Sequence, residues 1–205
     1  MSKQTFRVAV PDYKYWRQNI RCQTGCPVNT DSRGYVRAIS EGDYEKAYWI
    51  ARMPNPLASI CGRVCGAPCE VACRRKEIDE AVSIRALKKF VTEKYGVEIY
   101  QDKKDFVKNF TGKLKDENTG IIGIAKNASK PVSIIGSGPA GLACAHDLVL
   151  MGYKPVIYEM ENVAGGMCAM GIPPYRLPRE ILQAEIEAIK ALGVEIRLGV
   201  QIGKD

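Results

Sequence analysis

The chain has 205 residues, 46% of them apolar, and a formal net charge of +7. That is room for one or two packed domains, and no apolar run approaches the ~20 residues of a membrane span. The N-terminus, MSKQTFRVAVPDYKYW, lacks the apolar core of a signal peptide, so a cytoplasmic protein is expected. In that compartment its eight cysteines point to metal or redox chemistry rather than disulfides. The basic balance reads as a solvated surface, since no aromatic–basic interleaving or binding motif points to nucleic acid.

Residues 1–20 read as an extended, aromatic-rich arm wrapped on a partner surface. The cysteine pair Cys22 and Cys26 follows in RCQTGCPVNTD. GYVRAISEGDYEKAYWIARMPNP predicts two short helices. The first covers about 32–40; the second is begun by Gly42 and Asp43 and ends before Pro54. Next comes ICGRVCGAPCEVAC, with Cys61, Cys65, Cys69 and Cys73 each four residues after the last. On one straight helix these side chains would share a face, but the outer two would stand about 18 Å apart. That is too far for a single metal centre with bonds near ~2.3 Å. Gly62, Gly66 and Pro68 favour a break, so residues 61–68 are read as a loop that opens onto a short helix from about Cys69. Cys69 and Cys73 are then one turn apart and Cys65 folds back to join them. Such a site needs one more ligand. The run Arg74, Arg75, Lys76 would offset the negative charge of a thiolate-bound cluster or meet an acidic redox partner. EAVSIRALKKFVTEKYG is an amphipathic helix with Ile84, Leu87 and Val91 on one face. Residues 99–130, polar and lysine-rich, read as a linker.

From 131 the pattern changes to strand (PVSIIG), turn and helix (SGPAGLACAHDLVLMG), strand (KPVIYE), Gly/Pro-rich loop, helix (REILQAEIEAIKALG) and strand (VEIRL). This alternation predicts a parallel α/β sheet. Gly136, Gly138 and Gly141 fit G-x-G-x-x-G between a strand and a helix, and Glu159 ends the next strand 21 residues after Gly138. That context is what a dinucleotide-binding fingerprint requires. Gly136 makes the tight turn, Gly138 lets the backbone approach a pyrophosphate held at the helix N-terminus, Gly141 packs helix on strand, and Glu159 binds ribose hydroxyls. Flavin and nicotinamide are not separated by this physics. A second glycine pair, Gly165 and Gly166, with Arg176 beyond it, suits a loop returning to a longer ligand.

CPVNTD, NPLASICGRVCGAPCEVAC, SIRALKKF, GSGPAGL and GGMCAMGIPPYRLP occur in this order, and that order resembles the small chain of glutamate synthase and its relatives. These include the N-terminal part of dihydropyrimidine dehydrogenase and the large subunit of NADH-dependent ferredoxin:NADP oxidoreductase. The resemblance spans residues 22–205. It implies a helical iron–sulfur domain over 1–98 with its N-terminal arm, a linker over 99–130, and the first part of a Rossmann-like FAD domain over 131–205. It implies one [4Fe–4S] cluster on Cys26, Cys65, Cys69 and Cys73, with Cys26 before a proline as the remote ligand is in ferredoxin runs. Cys61 would match a packing cysteine. A second cluster of the family would need upstream cysteines, absent from YKYWRQNI, and a Gln or Glu where this sequence has Lys89. For FAD, Gly136, Ser137, Gly138, Pro139 and Ala140 would line the pyrophosphate and Glu159 would take the ribose. Gly166 and Met167 would touch the cofactor from the return loop, Arg176 would be a polar anchor, and Ile202 would lie near the adenine. The chain stops at Asp205 before any second glycine fingerprint, so a fragment or split gene product is expected, with NAD(P)H bound by sequence beyond it.

His146, Cys144, Cys168, Trp16 and Trp49 read as packing or surface residues. The function expected is an electron-transfer oxidoreductase subunit. FAD would exchange a hydride with NAD(P)H, and the cluster would relay single electrons to or from iron–sulfur partner subunits. The alternatives are a docking subunit that keeps its cluster without flavin turnover, and a zinc-stabilised nucleotide-binding module, for which Cys-x₃-Cys is looser than the usual spacing.

Overall fold

The computed structural model describes residues 19–116 and 130–203, with residues 12 and 15. The expected N-terminal arm, Trp16, residues 117–129 and Asp205 lie wholly or almost wholly outside the described residues.

The first half is helical. α1 (Arg21–Thr24), α2 (Ser32–Ser40) and α3 (Tyr44–Arg52) come first. Asp31 caps α2 by accepting the Gly34 N–H at 2.9 Å, and Asp43 caps α3 by accepting the Lys46 N–H at 3.1 Å. These carboxylates satisfy donors that the first helical turn leaves unpaired. α4 (Ala58–Val64) and α5 (Pro68–Val71) carry the clustered cysteines, and α6 (Ile84–Tyr95) packs against α4.

The expected loop over 61–68 is mostly helix, since Cys61 to Val64 belong to α4 and only 65–67 break it. Gly62 does not loosen the chain there. Its missing Cβ lets α4 approach α6, where an added methyl would sit 2.9 Å from Lys89 Cα. Ala67 in the left-handed region, φ +52, makes the break. Pro68 opens α5 at a position where proline is tolerated.

Residues 99–130 also hold a helix that the linker expectation did not include. α7 (Lys103–Asp116) buries Phe106, Phe110 and Leu114. Trp49 stacks on Phe106 and Phe110, with centroids 6.2 Å apart in each pair, and Phe106 stacks on Phe110 at 5.9 Å.

The second half is a three-stranded parallel sheet in the order β1 (Pro131–Ile135), β2 (Lys154–Glu159), β3 (Glu195–Leu198). Ile134 pairs with Ile157, and Ile157 with Ile196. α8 (Pro139–Met151) connects β1 to β2; α9 (Met167–Met170) and α10 (Arg179–Ala191) connect β2 to β3. This is the alternating pattern read from the sequence, in a parallel sheet.

The two halves share their cores. One apolar cluster joins Tyr35, Trp49 and Phe110 to Leu150, Ala184 and Ala188; a second joins Leu57 and Ile60 to Leu142, Cys168 and Ile186. Buried polar groups cross the same seam. Arg52 lies with its guanidinium 4.9 Å from the Phe110 centroid and its Nη2 3.4 Å from His146 Nε2. Glu185, 1% exposed, accepts the Ser59 N–H at 2.8 Å. Burial pushes the Glu185 carboxyl up to about 7, against the pull of Arg52 and the Ser59 bonds. Burial pushes His146 down to about 4, although Asp147 favours its charged form.

These two shifts act in opposite senses on stability. The raised Glu185 makes folding less favourable as pH rises from about 4.5 to about 7; the depressed His146 makes it less favourable as pH falls from about 6.5 to about 4. Between about 4.5 and 6.5 the folded pair and the unfolded pair each hold one proton, so their contributions cancel. Glu185→Gln keeps an acceptor for Ser59 but removes one side of this balance. Its stability is expected to rise with pH between about 4.5 and 6.5 by up to about 1.4 kcal/mol per pH unit relative to the unsubstituted protein. Denaturant unfolding of both proteins across that range is the check, and parallel profiles would count against the balance.

Candidate functional site

Two sites are built on this frame. In the helical half, Cys26, Cys61, Cys65 and Cys69 line one cavity of about 210 Å³, together with Arg85 and Lys88 from α6. That is several times the ~30 Å³ share of one water in the liquid. Cys65 caps the C-terminus of α4 and stays on the side of Cys61, four residues before it, because the helical bond from the Cys65 N–H to the Cys61 carbonyl (3.2 Å) is kept. Cys69 comes from α5. Cys26 enters from the turn after α1, its Sγ 3.6 Å from Thr30 Oγ1.

Cys73 is buried but does not line the cavity. The turn after α5 tightens, with the Cys73 N–H donating to the Glu70 carbonyl three residues back at 3.1 Å, so Cys73 is wound past the face that Cys69 presents. Its electrostatic neighbour is Cys22, on the α1 helix that packs against α5. Of the four cysteines expected as one ligand set, the structure therefore brings three to the cavity, with Cys61 beside them.

The charges around the cavity are cationic. Lys88 is buried on α6 with its ammonium 5.7 Å from the Tyr35 ring centroid, and Arg85 donates to the Cys65 carbonyl at 2.8 Å. Of the two adjacent lysines, the one facing the cavity is Lys88, not the Lys89 singled out in the sequence. Lys89 is half-exposed and pairs with Glu93 at 3.5 Å, whereas Lys88, one turn after Ile84, lies on the buried face. Burial raises the Cys61 and Cys69 thiols. Burial acts the same way on Cys26, but hydrogen bonds from the Thr30 N–H and hydroxyl, with the Lys88 charge, outweigh it and lower that thiol. Among the described residues, no three His, Cys, Asp or Glu side chains close on the position of a single metal ion. The thiols surround a volume instead, and four thiols around one space are the donor set of a [4Fe–4S] cluster.

In the α/β half, the glycine turn lies between β1 and α8. Gly136 has φ +91. A Cβ on Gly141 would lie 2.0 Å from the Gly136 carbonyl oxygen, while one on Gly138 would meet nothing within 4 Å. The tight packing is thus at Gly141 and the open side at Gly138. Pro139 and Ala140 are exposed at the start of α8, where backbone N–H groups have no partner within the helix and favour an anion.

Glu159 is tied into this turn. One carboxylate oxygen accepts from the Ser137 N–H at 2.7 Å and hydroxyl at 2.6 Å; the other accepts from the Glu161 N–H at 3.0 Å. Burial works to raise its carboxyl, but these bonds hold it below the usual range. Ser137 Oγ also accepts the Gly165 N–H at 3.1 Å. The return loop meets the turn at Gly166, φ +53, where a Cβ would come within 2.9 Å of Gly138 Cα. Met167 is exposed at the start of α9, Arg176 is exposed in the turn before α10, and Ile202 is exposed past β3, where the Val200 N–H donates to the Glu159 carbonyl at 2.8 Å. Sequence reasoning passed over Arg179, which clamps the return loop by donating to the Cys168 and Ile172 carbonyls, each at 2.9 Å.

Gly141→Ala is expected to destabilise the protein by about 1–3 kcal/mol through overpacking, and Gly138→Ala by less than about 1 kcal/mol. Thermal unfolding of both variants separates them; equal losses would contradict the close approach at Gly141.

Residues 17–98 match the family model described as dihydropyrimidine dehydrogenase domain II, 4Fe-4S cluster, and residues 134–177 match an NAD(P)-binding Rossmann-like domain. The chain is 45% identical, over 90% of its length, to the NADP(+)-dependent formate dehydrogenase subunit beta of Moorella thermoacetica. It is 40% identical, over 90% of its length, to the NADPH-Fe(3+) oxidoreductase subunit beta of Geobacter sulfurreducens. It is 29% identical, over 91% of its length, to the glutamate synthase [NADPH] small chain of Escherichia coli. It spans 26%, 25% and 36% of those proteins respectively. The chain belongs with the N-terminal region of the glutamate synthase small-chain type of oxidoreductase subunit, where a 4Fe-4S domain is followed by the start of a Rossmann domain.

Proposed function

We propose that this chain is the electron-relay portion of an NAD(P)H oxidoreductase subunit that carries FAD and one [4Fe–4S] cluster, with electrons passing singly to or from a partner subunit. The observation that carries the proposal is the cavity where four thiols meet a buried ammonium. FAD, when bound, supplies the exchange between a two-electron hydride and single electrons. The residues supply binding and charge. Cys26, Cys65 and Cys69, with a fourth thiolate that the sequence pattern matched to Cys73, hold the cluster, and Lys88 and Arg85 balance its negative charge. The Ala140 and Gly141 N–H groups hold the pyrophosphate. Gly136, Ser137, Gly138 and Pro139 shape the turn around it, and Glu159 keeps free acceptor capacity for a ribose hydroxyl. Gly166 and Met167 approach from the return loop, with Arg176 and Ile202 at the margin. Support for a partner comes from the relatives named as beta subunits in Moorella and Geobacter.

Anaerobically purified protein is expected to hold about four irons and no zinc on this chain, with flavin bound. Zinc without iron would remove the relay reading, and about eight irons would require a second cluster. Lys88→Met is expected to make the cluster harder to reduce, because the ammonium favours the more negative reduced state. Redox titration followed by EPR is the check, and an unchanged midpoint would take Lys88 out of that role.

A further inference from the structure

If the relay reading holds, the structure assigns the fourth cluster thiolate to Cys61 in place of Cys73. Two helical facts separate these residues. Cys61 on α4 and Cys65, the residue that caps its C-terminus, are joined by a kept helical bond and line the same cavity. Cys69 and Cys73 have the same spacing in sequence, but α5 ends at Val71 and the following turn is tightened to a three-residue bond. A residue four positions on is then turned well away from the first, because a three-residue helix advances faster around its axis than an α-helix. Equal spacing in sequence thus gives unequal placement in space, and the break at 65–67 decides which thiols meet.

The surroundings agree. The cavity holds Cys26, Cys61, Cys65 and Cys69 around its wall with Lys88 and Arg85 beside them. That is a complete Cys₄ donor set, in which each thiol gives up its proton on binding iron. Cys73 is buried outside that wall, on the turn that follows α5. Packing would account for one half-buried cysteine at position 61, but packing alone does not call for it to line a cavity with three other cysteines.

The test uses the full-length protein with its partner subunits, purified anaerobically, reduced with dithionite and read by EPR and iron per chain. Cys61→Ser is expected to shift the g-values of the reduced cluster, as an oxygen ligand would, or to yield a three-iron cluster. Cys73→Ser and Cys73→Ala are both made, so that a folding failure in one leaves the other to be read. A wild-type spectrum and iron content in either shows that the Cys73 thiol is not a ligand and supports the assignment. A wild-type spectrum in Cys61→Ser overturns it, as does an altered spectrum in both Cys73 variants at unchanged flavin content. Protein without iron before any substitution overturns the relay reading itself, which keeps the two failures distinct.

Discussion

The hydrogen bond from the Ser59 N–H to the buried Glu185 carboxylate is the contact on which the relation between the two halves turns. Ser59 is in the first turn of α4, where backbone donors have no partner within the helix. Leu57 precedes the helix and offers no side-chain cap. The acceptor is therefore supplied by α10, from the α/β half, across 126 residues of sequence. Removing it would leave a buried donor unpaired, at a cost of about 1–3 kcal/mol. The helix held this way is the one that carries Cys61 and Cys65.

α4 consequently serves two sites at once. Leu57 and Ile60, with Val64 packed against them, join the apolar cluster that contains Cys168, Ala169, Leu182 and Ile186. The adjoining face presents Cys61 and Cys65 to the thiol cavity. Cys61 is near enough to Cys168 for its charge to help raise that thiol, after burial. Arg179 fixes the Cys168 carbonyl, and the Gly165 N–H reaches Ser137. A continuous set of packed contacts thus runs from the cavity through α4 and the return loop to the glycine turn. On the proposed relay reading this matters, since close-packed elements hold a separation between two centres that a flexible tether would not.

The sequence made some of this legible and hid the rest for identifiable reasons. Asp43 before an apolar run marks a helix start, and strand–helix alternation with G-x-G-x-x-G marks the parallel sheet; both signals are local. The Lys103–Asp116 helix was passed over because its lysines dominate the composition, although Phe106, Phe110 and Leu114 repeat at four-residue intervals and that repeat was the available signal. Lys88 was also findable, since it is four residues after Ile84 on the buried face of the same helix. Glu185 was not. A glutamate in an amphipathic helix reads as its solvent side, and only the tertiary structure reveals the orphan N–H that draws it inward. The unequal fates of Cys61 and Cys73 were hidden for a similar reason, because they depend on where α5 ends.

Lys88 brings these arguments together. A buried ammonium is costly unless an anion compensates it. None of the ion pairs found among the described residues includes Lys88. Its charged neighbour in the cavity is instead the thiol set, where it helps to lower Cys26. Neutral thiols would leave the cation uncompensated, whereas thiolates bound to iron would surround it with negative charge. On this account the lysine that cannot be a ligand is the complement of the ligands. If the cavity holds the proposed cluster, folding α6 against α4, with Gly62 at the crossing, sets the charge balance of the site before any metal arrives.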